Sequence, residues 1–415
     1  MLRGTIPRMS RQVLIAGGGI GGLAAALACA RAGQRVQVLE RTARFAEIGA
    51  GIQIGPNVTR VLHGWGLADR LAEVAAYPQQ LTVRNARSGR QLAVLRLGDV
   101  ALRRYGAPYA TVHRADLHRV LLVAVQEQPE VQLHADCDVA DLAQDARGVA
   151  VRTVRDRQFK GDLLLGADGI WSTVRQWLLN DGLPRVTGHL AYRALVAQNS
   201  LPAHLRSPHI TVWLGRDLHV VQYPVRGGEW LNLVGIVQGD GGLSADARGL
   251  VQDDMDGDPV DWDQHTSAKR LRTALAATCA PLRDLVNAVD SWRRWVLCDR
   301  PPVRRADQLA RGRVALLGDA AHPMRPYLAQ GAGMAIEDAA ALGEVLADTH
   351  QAVDSALRAY SEQRWRRNAQ AQARALRNGQ IFHAQGPLRV CRDAALSVFG
   401  ERLLDLPWLY RHGSP

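Results

Sequence analysis

The sequence of 415 residues contains few cysteines and no long apolar run. No pair of cysteines has CxxC or zinc-finger spacing, which argues against a disulfide framework and against a structural metal site. The five cysteines are Cys29, Cys137, Cys279, Cys298 and Cys391. The first ten residues hold no signal-peptide core, and the apolar run at residues 13–16 is far too short to span a membrane. We therefore expect a cytoplasmic protein with reduced thiols and no membrane contact.

Internal repeats are also lacking, and the one biased region is an Ala/Arg-rich helical stretch near the C-terminus. The net charge is +11, but the arginines are scattered through every region, which argues against nucleic acid as a partner. A basic protein does attract small anions, such as a nicotinamide coenzyme or a carboxylate substrate. The length, with 47% hydrophobic residues, suits two intergrown domains.

The chain begins with a strand, a helix and a second strand. Residues 12–16 are an apolar run that ends at glycines, and an Ala/Leu-rich helix is predicted up to Ala32, with Gly33 as its left-handed cap. Residues 35–39 form the second strand, so the unit is a parallel crossover. A hairpin is predicted over residues 81–95 with its turn at Ser88 and Gly89.

The rest of the chain alternates between strand and helix patterns. Residues 190–237 predict an antiparallel sheet, and the polar stretch at 239–264 predicts either a loop or a lid. Helices are predicted at residues 113–126, 266–288, 334–347 and 353–376, and further strands at residues 131–140, 148–155, 162–166 and 314–317.

Gly17, Gly19 and Gly22 form a GxGxxG pattern between the first strand and the first helix. These glycines permit a tight turn and close approach of the backbone to a pyrophosphate at the helix N-terminus. Glu40, at the end of the second strand, can accept hydrogen bonds from an adenosine ribose, and Arg41 follows it. The pattern predicts a dinucleotide site but does not distinguish NAD from FAD.

Two later motifs make that distinction. Residues 168–175 read DGIWSTVR and residues 318–326 read GDAAHPMRP, each directly after an apolar strand. With GxGxxG and in this order, they resemble the group A flavoprotein aromatic hydroxylases over residues 12 to about 377. The sequence is most similar to the branch that contains salicylate 1-hydroxylase, 3-hydroxybenzoate 6-hydroxylase and 6-hydroxynicotinate 3-monooxygenase.

The resemblance implies an α/β fold like that of para-hydroxybenzoate hydroxylase. A Rossmann-like FAD-binding domain would comprise residues 10–80, 105–180 and 300–375. An intergrown β-sheet substrate domain would comprise residues 81–104 and 181–299, and a C-terminal helical segment would follow at 376–415. The protein would act as a monomer or homodimer.

The implied activity is that of an FAD-dependent monooxygenase. Bound FAD, with NADH or NADPH and dioxygen as co-substrates, would form a flavin C4a-hydroperoxide. This would hydroxylate a small phenolic acid of the salicylate or 3-hydroxybenzoate type. A 6-hydroxynicotinate-type hydroxylase, a non-hydroxylating FAD-dependent oxidoreductase and a flavin-carrying binding or redox-sensing protein are the alternatives.

The resemblance also assigns residues to the cofactor. Asp319 would bind FAD ribityl or ribose hydroxyls, or cap a helix. Asp168 would serve the flavin pyrophosphate and the coenzyme with Arg175 as its ion-pair partner, or only form a turn. Arg114 would contact FAD or lie on the surface. Gly331, Ala332 and Gly333 would present bare amides to the flavin pyrimidine edge, and Gln53 would line the isoalloxazine or face solvent.

The substrate residues are predicted from one strand. By two-residue periodicity His219, Val221 and Tyr223 point to one face, where the family's histidine and tyrosine contact the substrate hydroxyl. His219 would be the base and Tyr223 would orient the hydroxyl; the alternative is a structural histidine.

Four positions bear on the substrate or on the motif. Gln53 replaces the histidine of the hydroxynicotinate enzymes, and Pro326 replaces a catalytic glutamine of the 3-hydroxybenzoate enzymes, so each departure counts against that substrate. Tyr327 is a candidate substrate neighbour, and His322 is expected to be structural.

Overall fold

The computed structural model describes residues 10–46, 50–239, 265–266 and 269–411, and its strands and helices are numbered along the chain. Six of the described strands form a sheet that is parallel except at one edge. In spatial order they are β19 Ala310–Arg311, β20 Val314–Leu316, β12 Leu163–Gly166, β1 Gln12–Ala16, β2 Arg35–Leu39 and β8 Val131–His134. The apolar runs predicted as strands therefore pair side by side, because a parallel sheet buries both of its faces.

The first helix, α1 Ile20–Arg31, packs on this sheet and confirms the predicted strand–helix–strand unit. Its cap is also confirmed, since Gly33 has a φ of +79° and donates its N–H to the carbonyl of Ala30. Glycine adopts this left-handed conformation without the steric cost of a Cβ.

Eight described strands form a second sheet, antiparallel except for one parallel pair. In spatial order they are β17 His265–Thr266, β18 Trp292–Asp299, β13 Arg185–Ala197, β16 Trp230–Gln238, β15 Leu218–Val225, β14 Ile210–Leu214, β5 Gln80–Asn85 and β6 Gln91–Arg96. The predicted hairpin is confirmed as β5 and β6, with Gly89 at a φ of +75°. It joins the sheet through the parallel pairing of β5 with β14.

Two three-stranded sheets complete the β structure of the described residues. They are β11 Gln158–Gly161, β10 Val149–Thr153 and β9 Val139–Gln144, and β3 Gly51–Ile54, β7 Ala110–His113 and β4 Ala75–Ala76. The single strand predicted over residues 131–140 is wrong. Asp136 adopts a φ of +54°, and the N–H of Cys137 bonds the carbonyl of Glu40, so the chain leaves β8 and enters a different sheet as β9.

Helices cover most of the remaining described residues. The others are α2 Pro56–Gly64, α3 Ala68–Val74, α4 Gly98–Tyr105, α5 Arg114–Gln126, α6 Thr173–Leu179, α7 Lys269–Ala274, α8 Ala280–Asn287, α9 Gly318–Ala321, α10 Gly331–Leu346, α11 Val353–Phe382, α12 Gly386–Phe399, α13 Glu401–Leu404 and α14 Pro407–Tyr410. The helix predicted at 266–288 is interrupted, with Thr266 in β17, and the helix predicted to end at residue 376 continues to Phe382. None of the described helices is both long and apolar enough to cross a membrane.

The two faces of the antiparallel sheet have different partners. Its outer face packs Leu218 and Val220 against α7 and α8 in a separate core. Its inner face turns toward β3 and the end of α11, as the contacts of Tyr223 and His219 below demonstrate. The site lies on this inner side. The predicted polar stretch at 240–264 lies outside the described residues, and the domain boundaries stay a prediction.

Candidate active site

The carboxyl ends of four neighbouring parallel strands bring the three glycine-containing motifs together. Strands β20, β12, β1 and β2 are adjacent and run in the same direction. Asp319, Asp168, Gly17 and Glu40 follow these strands at one edge of the sheet. Ligands of open α/β sheets bind at this edge.

The glycines of the first turn are required by close packing. Gly17 has a φ of +101°, and a Cβ there would lie 2.4 Å from the carbonyl oxygen of Ala167. A Cβ on Gly22 would lie 1.9 Å from the carbonyl oxygen of Gly17. The N-cap of α1 is Gly19, and no described side chain caps the helix. Its first N–H groups therefore suit a pyrophosphate.

Glu40 is oriented by the same turn. Its Oε2 accepts the Gly18 N–H at 2.6 Å, and its Oε1 accepts the N–H and the hydroxyl of Thr42 at 2.9 and 2.8 Å. A carboxylate has about four acceptor positions, so one stays available for a ribose hydroxyl. Arg41 is exposed beside it.

The third motif places an exposed carboxylate beside a second helix start. Asp319 is exposed, and a Cβ on Gly331, the first residue of α10, would lie 3.9 Å from its Oδ1. The N-cap of α9 is Leu317, and Asp319 lies in the first turn of that helix. The N-cap of α10 is Gln330, and no described side chain caps that helix either. Gly331 and Ala332 are partly exposed there, whereas Gly333 is buried.

Behind this turn, His322 is part of a buried ionic cluster. Its Nε2 donates to Asp338 Oδ2 at 2.5 Å, and the same oxygen accepts the Gly318 N–H at 3.1 Å. Arg364 Nε donates to Asp338 Oδ1 at 2.8 Å. Burial alone would raise the pKa of Asp338, but His322 and Arg364 together lower it well below its ordinary value. His322 thus holds the turn that carries Asp319.

The expected pairing of Asp168 with Arg175 is wrong. Asp168 accepts the Ser172 hydroxyl at 2.5 Å and the Val174 N–H at 3.1 Å, so it organises the start of α6. Arg175 instead bonds Asp181 at 2.6 Å and the carbonyl of Ala321 at 2.6 Å. It therefore ties α6 to the GDAAH turn, because a guanidinium can serve two sets of acceptors at once.

The inner face of the antiparallel sheet is largely apolar. The predicted alternation along β15 is confirmed, since Val221 and Tyr223 pack on the inner side whereas Leu218 and Val220 pack on the outer. Strand register aligns three rows across β15, β16 and β13. They are His219 with Ile236 and Ala191, Val221 with Val234 and Arg193, and Tyr223 with Asn232 and Leu195.

His219 is buried at one end of this face. Its Nδ1 lies 2.8 Å from Nε2 of His383, and its ring has edge contacts with Tyr327 and Phe382 at centroid distances of 5.1 and 5.2 Å. Burial, and then the neighbouring His383 and His189, lower the pKa of His219 well below its ordinary value. The imidazole is therefore neutral at physiological pH.

Tyr223 lies at the other end. Its hydroxyl donates to the Gly51 carbonyl at 2.5 Å, and Asn232 Oδ1 accepts the Gly51 N–H at 2.6 Å. Four residues of extended strand separate the Cα atoms of His219 and Tyr223 by roughly 13 Å. The two side chains therefore border opposite ends of the inner face rather than meeting at one point.

Gln53 lies on β3, and Arg114 contacts the residue that precedes β3. The hydroxyl of Tyr109 donates to Gln53 Oε1 at 2.7 Å, which fixes the partly exposed Gln53 on β3. Arg114 begins α5, and its N–H donates to the carbonyl of Ala50 at 3.0 Å. It is partly buried.

Three polar atoms on the inner side are buried without a hydrogen-bond partner among the described residues: Arg193 Nε, Asn232 Nδ2 and the Tyr327 hydroxyl. The Arg193 guanidinium lies over the Trp295 ring, with its Cζ 4.9 Å from the ring centroid. Burial lowers the pKa of Arg193, and the nearby Arg114 lowers it further. Three such atoms on one side of the sheet are compatible with a bound polar ligand.

A family profile described as FAD binding domain matches residues 10–375. The chain belongs to the FAD binding domain family. The chain is 37% identical to 3-hydroxybenzoate 6-hydroxylase of Polaromonas naphthalenivorans (strain CJ2), over 96% of this chain and 95% of that protein. It is 36% identical to 3-amino-4-hydroxybenzoate 2-monooxygenase PtnB3 of Streptomyces platensis, over 96% and 95% of the two chains.

Among solved structures, Klebsiella pneumoniae HpxO complexed with FAD and uric acid superposes with a TM-score of 0.81. It is 28% identical over 96% of this chain and 95% of that chain. This member of the FAD binding domain family is thus an FAD-dependent aromatic monooxygenase, with FAD as its bound cofactor and NAD(P)H as its co-substrate. The open helix starts of α1 and α10 and the packed glycine turn fit that cofactor.

The structure of this FAD-binding enzyme also contains site residues that sequence reasoning missed. Arg193 and Asn232 share the inner face with His219 only through strand register, which two-residue periodicity within one strand does not reveal. His383 comes from the far end of α11. A register shift of one residue would turn all of these side chains to the other face. The roles of the predicted site residues stay predictions.

Proposed function

We propose that this enzyme hydroxylates the ring of a small phenolic carboxylic acid of the salicylate or 3-hydroxybenzoate type. The observation that carries the proposal is the pattern of the inner face, with a neutral buried imidazole at one end, an apolar middle and Arg193, whose Nε has no described hydrogen-bond partner, across it. An aromatic ring fits the middle, a phenol fits the imidazole and a carboxylate fits the guanidinium.

The size of this face supports a single-ring substrate. Arg193 lies two strands and two residues away from His219, which corresponds to roughly 12 Å between Cα atoms. The two residues lie on the same face of the sheet, and this separation suits one benzene ring with its substituents. Guanidinium is well matched to a carboxylate, because two parallel N–H groups can bond its two oxygens.

The chemistry divides between cofactor and protein. FAD supplies the activation of dioxygen that transfers one oxygen atom to the ring. The chain makes the ring more electron-rich, because His219 accepts the phenolic proton on its Nε2. Arg193 fixes the carboxylate, and the buried Tyr327 hydroxyl offers a hydrogen bond to the bound acid. The apolar residues Val221, Val234 and Ile236 exclude water from the reacting ring.

The names of the relatives support the same substrate class. The Polaromonas and Streptomyces proteins are named for 3-hydroxybenzoate and 3-amino-4-hydroxybenzoate, and both are phenolic benzoates. A second candidate is 6-hydroxynicotinate, since a relative at 33% identity is named for it. Its hydroxyl and carboxylate offer the same two contacts, so Arg193 and His219 do not separate the candidates.

Substrate-stimulated oxidation of NADH and NADPH tests the proposal. The holoenzyme is assayed with 3-hydroxybenzoate, salicylate, 3-amino-4-hydroxybenzoate and 6-hydroxynicotinate, with benzoate and phenol as controls that each lack one functional group. We expect stimulation by at least one hydroxybenzoate, weak stimulation by the controls, and one labelled oxygen in the product under ¹⁸O₂. Coenzyme oxidation without label in any product would instead support a non-hydroxylating oxidoreductase.

A further inference from the structure

His383 connects the buried His219 to the edge of the protein. It follows α11 directly as its C-cap, and its Nε2 lies 2.8 Å from Nδ1 of His219. His219 is 1% exposed, whereas His383 is partly exposed. No other described residue forms a hydrogen bond with the His219 ring. Among described residues, His383 is thus the only hydrogen-bonded exit from that imidazole.

The surroundings of His219 and His383 disfavour the protonated, positively charged form of either imidazole. The rings of His189 and His219 each lie 5.1 Å from that of His383, measured between centroids. The titratable and charged groups that face the pair are His189 on β13, Asp217 between β14 and β15, Arg325 and Tyr327 before α10, and Arg392 on α12. Burial, and then His189, lower the pKa of His383 to about 4. A proton that reaches either ring therefore leaves it again quickly.

Resting on the proposed function, we propose that His383 relays the phenolic proton from His219 to solvent. His383 acts through His219 and does not itself touch the reacting ring, so it is a positioning and relay residue. The His219–His383 bond requires one ring to donate and the other to accept. We assign the hydrogen to Nδ1 of His219, which leaves Nε2 of His219 with its lone pair for the substrate.

The relay transfers only protons, so it requires no oxidant or reductant. The phenolic O–H bond breaks, its electron pair stays on the phenolate oxygen, and the proton forms a bond with Nε2 of His219. The Nδ1 proton of His219 moves to Nε2 of His383, and the Nδ1 proton of His383 moves to water. Each imidazole ends neutral. The starting arrangement returns when Nε2 of His219 gives its proton to the phenolate of the departing product and a proton from water passes through His383 back to Nδ1 of His219.

Two hydrogen bonds position the chain segment that follows α11. Gln385 Nε2 donates to Asp217 Oδ1 at 2.5 Å, and Arg392 Nη1 donates to the carbonyl of Phe382 at 2.8 Å. The first bond ties the turn after α11 to the connection between β14 and β15, and the second ties α12 to the end of α11. His383 is thereby kept at hydrogen-bonding distance from a strand residue that precedes it by 164 positions.

Two substitutions of His383 separate a relay from a merely structural contact. His383→Gln keeps a side chain that can hydrogen-bond His219 but cannot pass a proton on. His383→Ala leaves a cavity that added imidazole can fill. His204→Gln, at an exposed histidine on the same sheet domain, is the matched control. FAD content and thermal unfolding of each holoenzyme verify that the variants are folded.

The readout does not need turnover. Oxidised holoenzyme is mixed with 3-hydroxy-4-nitrobenzoate, whose phenolate absorbs visible light, and ionisation of the bound phenol is followed by stopped flow after a pH jump. We expect His383→Gln to slow ionisation by about tenfold without a matching change in affinity. Imidazole should restore the rate in His383→Ala, and His204→Gln should match the wild type.

The outcomes separate the relay from the proposed function. Ionisation in His383→Gln at the wild-type rate, or a wild-type holoenzyme that does not bind or ionise the analogue, overturns the relay. A slowed His383→Gln with imidazole rescue supports it, even if no hydroxylated product is found with any acid. If ionisation is slowed and rescued but no acid is hydroxylated, the proposed function is wrong and the relay through His383 is still supported.

Discussion

Two buried polar regions of this enzyme differ in how their charges are satisfied. Behind the GDAAH turn, Arg367 donates two hydrogen bonds to Glu337, at 2.5 and 2.6 Å, and Arg364 bonds both Glu337 and Asp338. On the inner face of the antiparallel sheet, Arg193 lies over an indole with its Nε unpaired. In the first region each carboxylate and guanidinium has an oppositely charged partner, although Nδ1 of His322 is unpaired within the described part of the chain. On the inner face, Nε of Arg193 has no hydrogen-bond partner among the described residues.

This difference separates polar residues that stabilise the fold from those that we expect to bind the substrate. A buried charge without a partner costs several kcal/mol, so a fold retains it only where something else compensates. The ionic cluster compensates itself and holds α10, α11 and the turn of Asp319. On the inner face, the acid of the proposed function would compensate Arg193. The same residue types, histidine and arginine, thus have different roles in the two regions.

The largest expected effect is on the ionic cluster. Arg364→Met removes a partner of both Glu337 and Asp338, and leaving such buried charges uncompensated costs about 3–5 kcal/mol of unfolding free energy. Denaturant unfolding of the holoenzyme measures this. Arg366→Met, at an exposed position of the same helix, should change stability by less than about 0.5 kcal/mol. Equal stability of the two variants would contradict a stabilising role for the ionic cluster.

The next effect is on catalysis by the inner face. His219→Ala should keep FAD and substrate-free coenzyme oxidation but lower product formation about 100-fold, because the phenol keeps its proton. Product per NAD(P)H and kcat are measured together. Unchanged coupling and rate would remove His219 from its role as base.

A smaller effect is expected on substrate binding. Arg193→Met should raise KM for the acid by roughly 10- to 100-fold, as about 1.5–3 kcal/mol is typical of hydrogen bonds to charged groups. Binding of the corresponding carboxamide should barely change, since it lacks the negative charge. Arg304→Met, at an exposed site, is the control. An equal loss for acid and amide would mean that Arg193 only supports Trp295.

The smallest effect is on pH dependence. Burial keeps the pKa of His219 and His383 below the ordinary 6.5, so both rings stay neutral as the pH falls through that value and become protonated only lower, at about 4 for His383. We expect kcat/KM to stay level between pH 7 and 5.5 and to fall below that. A limb centred on 6.5 would assign an exposed histidine to the reaction instead.

Much of the fold was predictable because it depends on local patterns. The strands of the parallel sheet are apolar runs, the cap of α1 is a glycine, and the hairpin turn is Ser88-Gly89, each of which acts within a few residues. The break after β8 was not predictable, because it depends on a bond from Cys137 to Glu40 on another strand. The contact of Arg175 with the carbonyl of Ala321 was missed for the same reason, because the two residues are 146 positions apart.

By itself the sequence determined the dinucleotide turn, the alternation along β15 and the kinds of residue in the three motifs, since spacing along the chain fixes these. Only the tertiary structure decided that Arg193, Asn232 and His383 join His219 on one side of a sheet. Strand register and helix docking bring together residues far apart in the chain, and their free energy comes from packing that no local window of sequence contains.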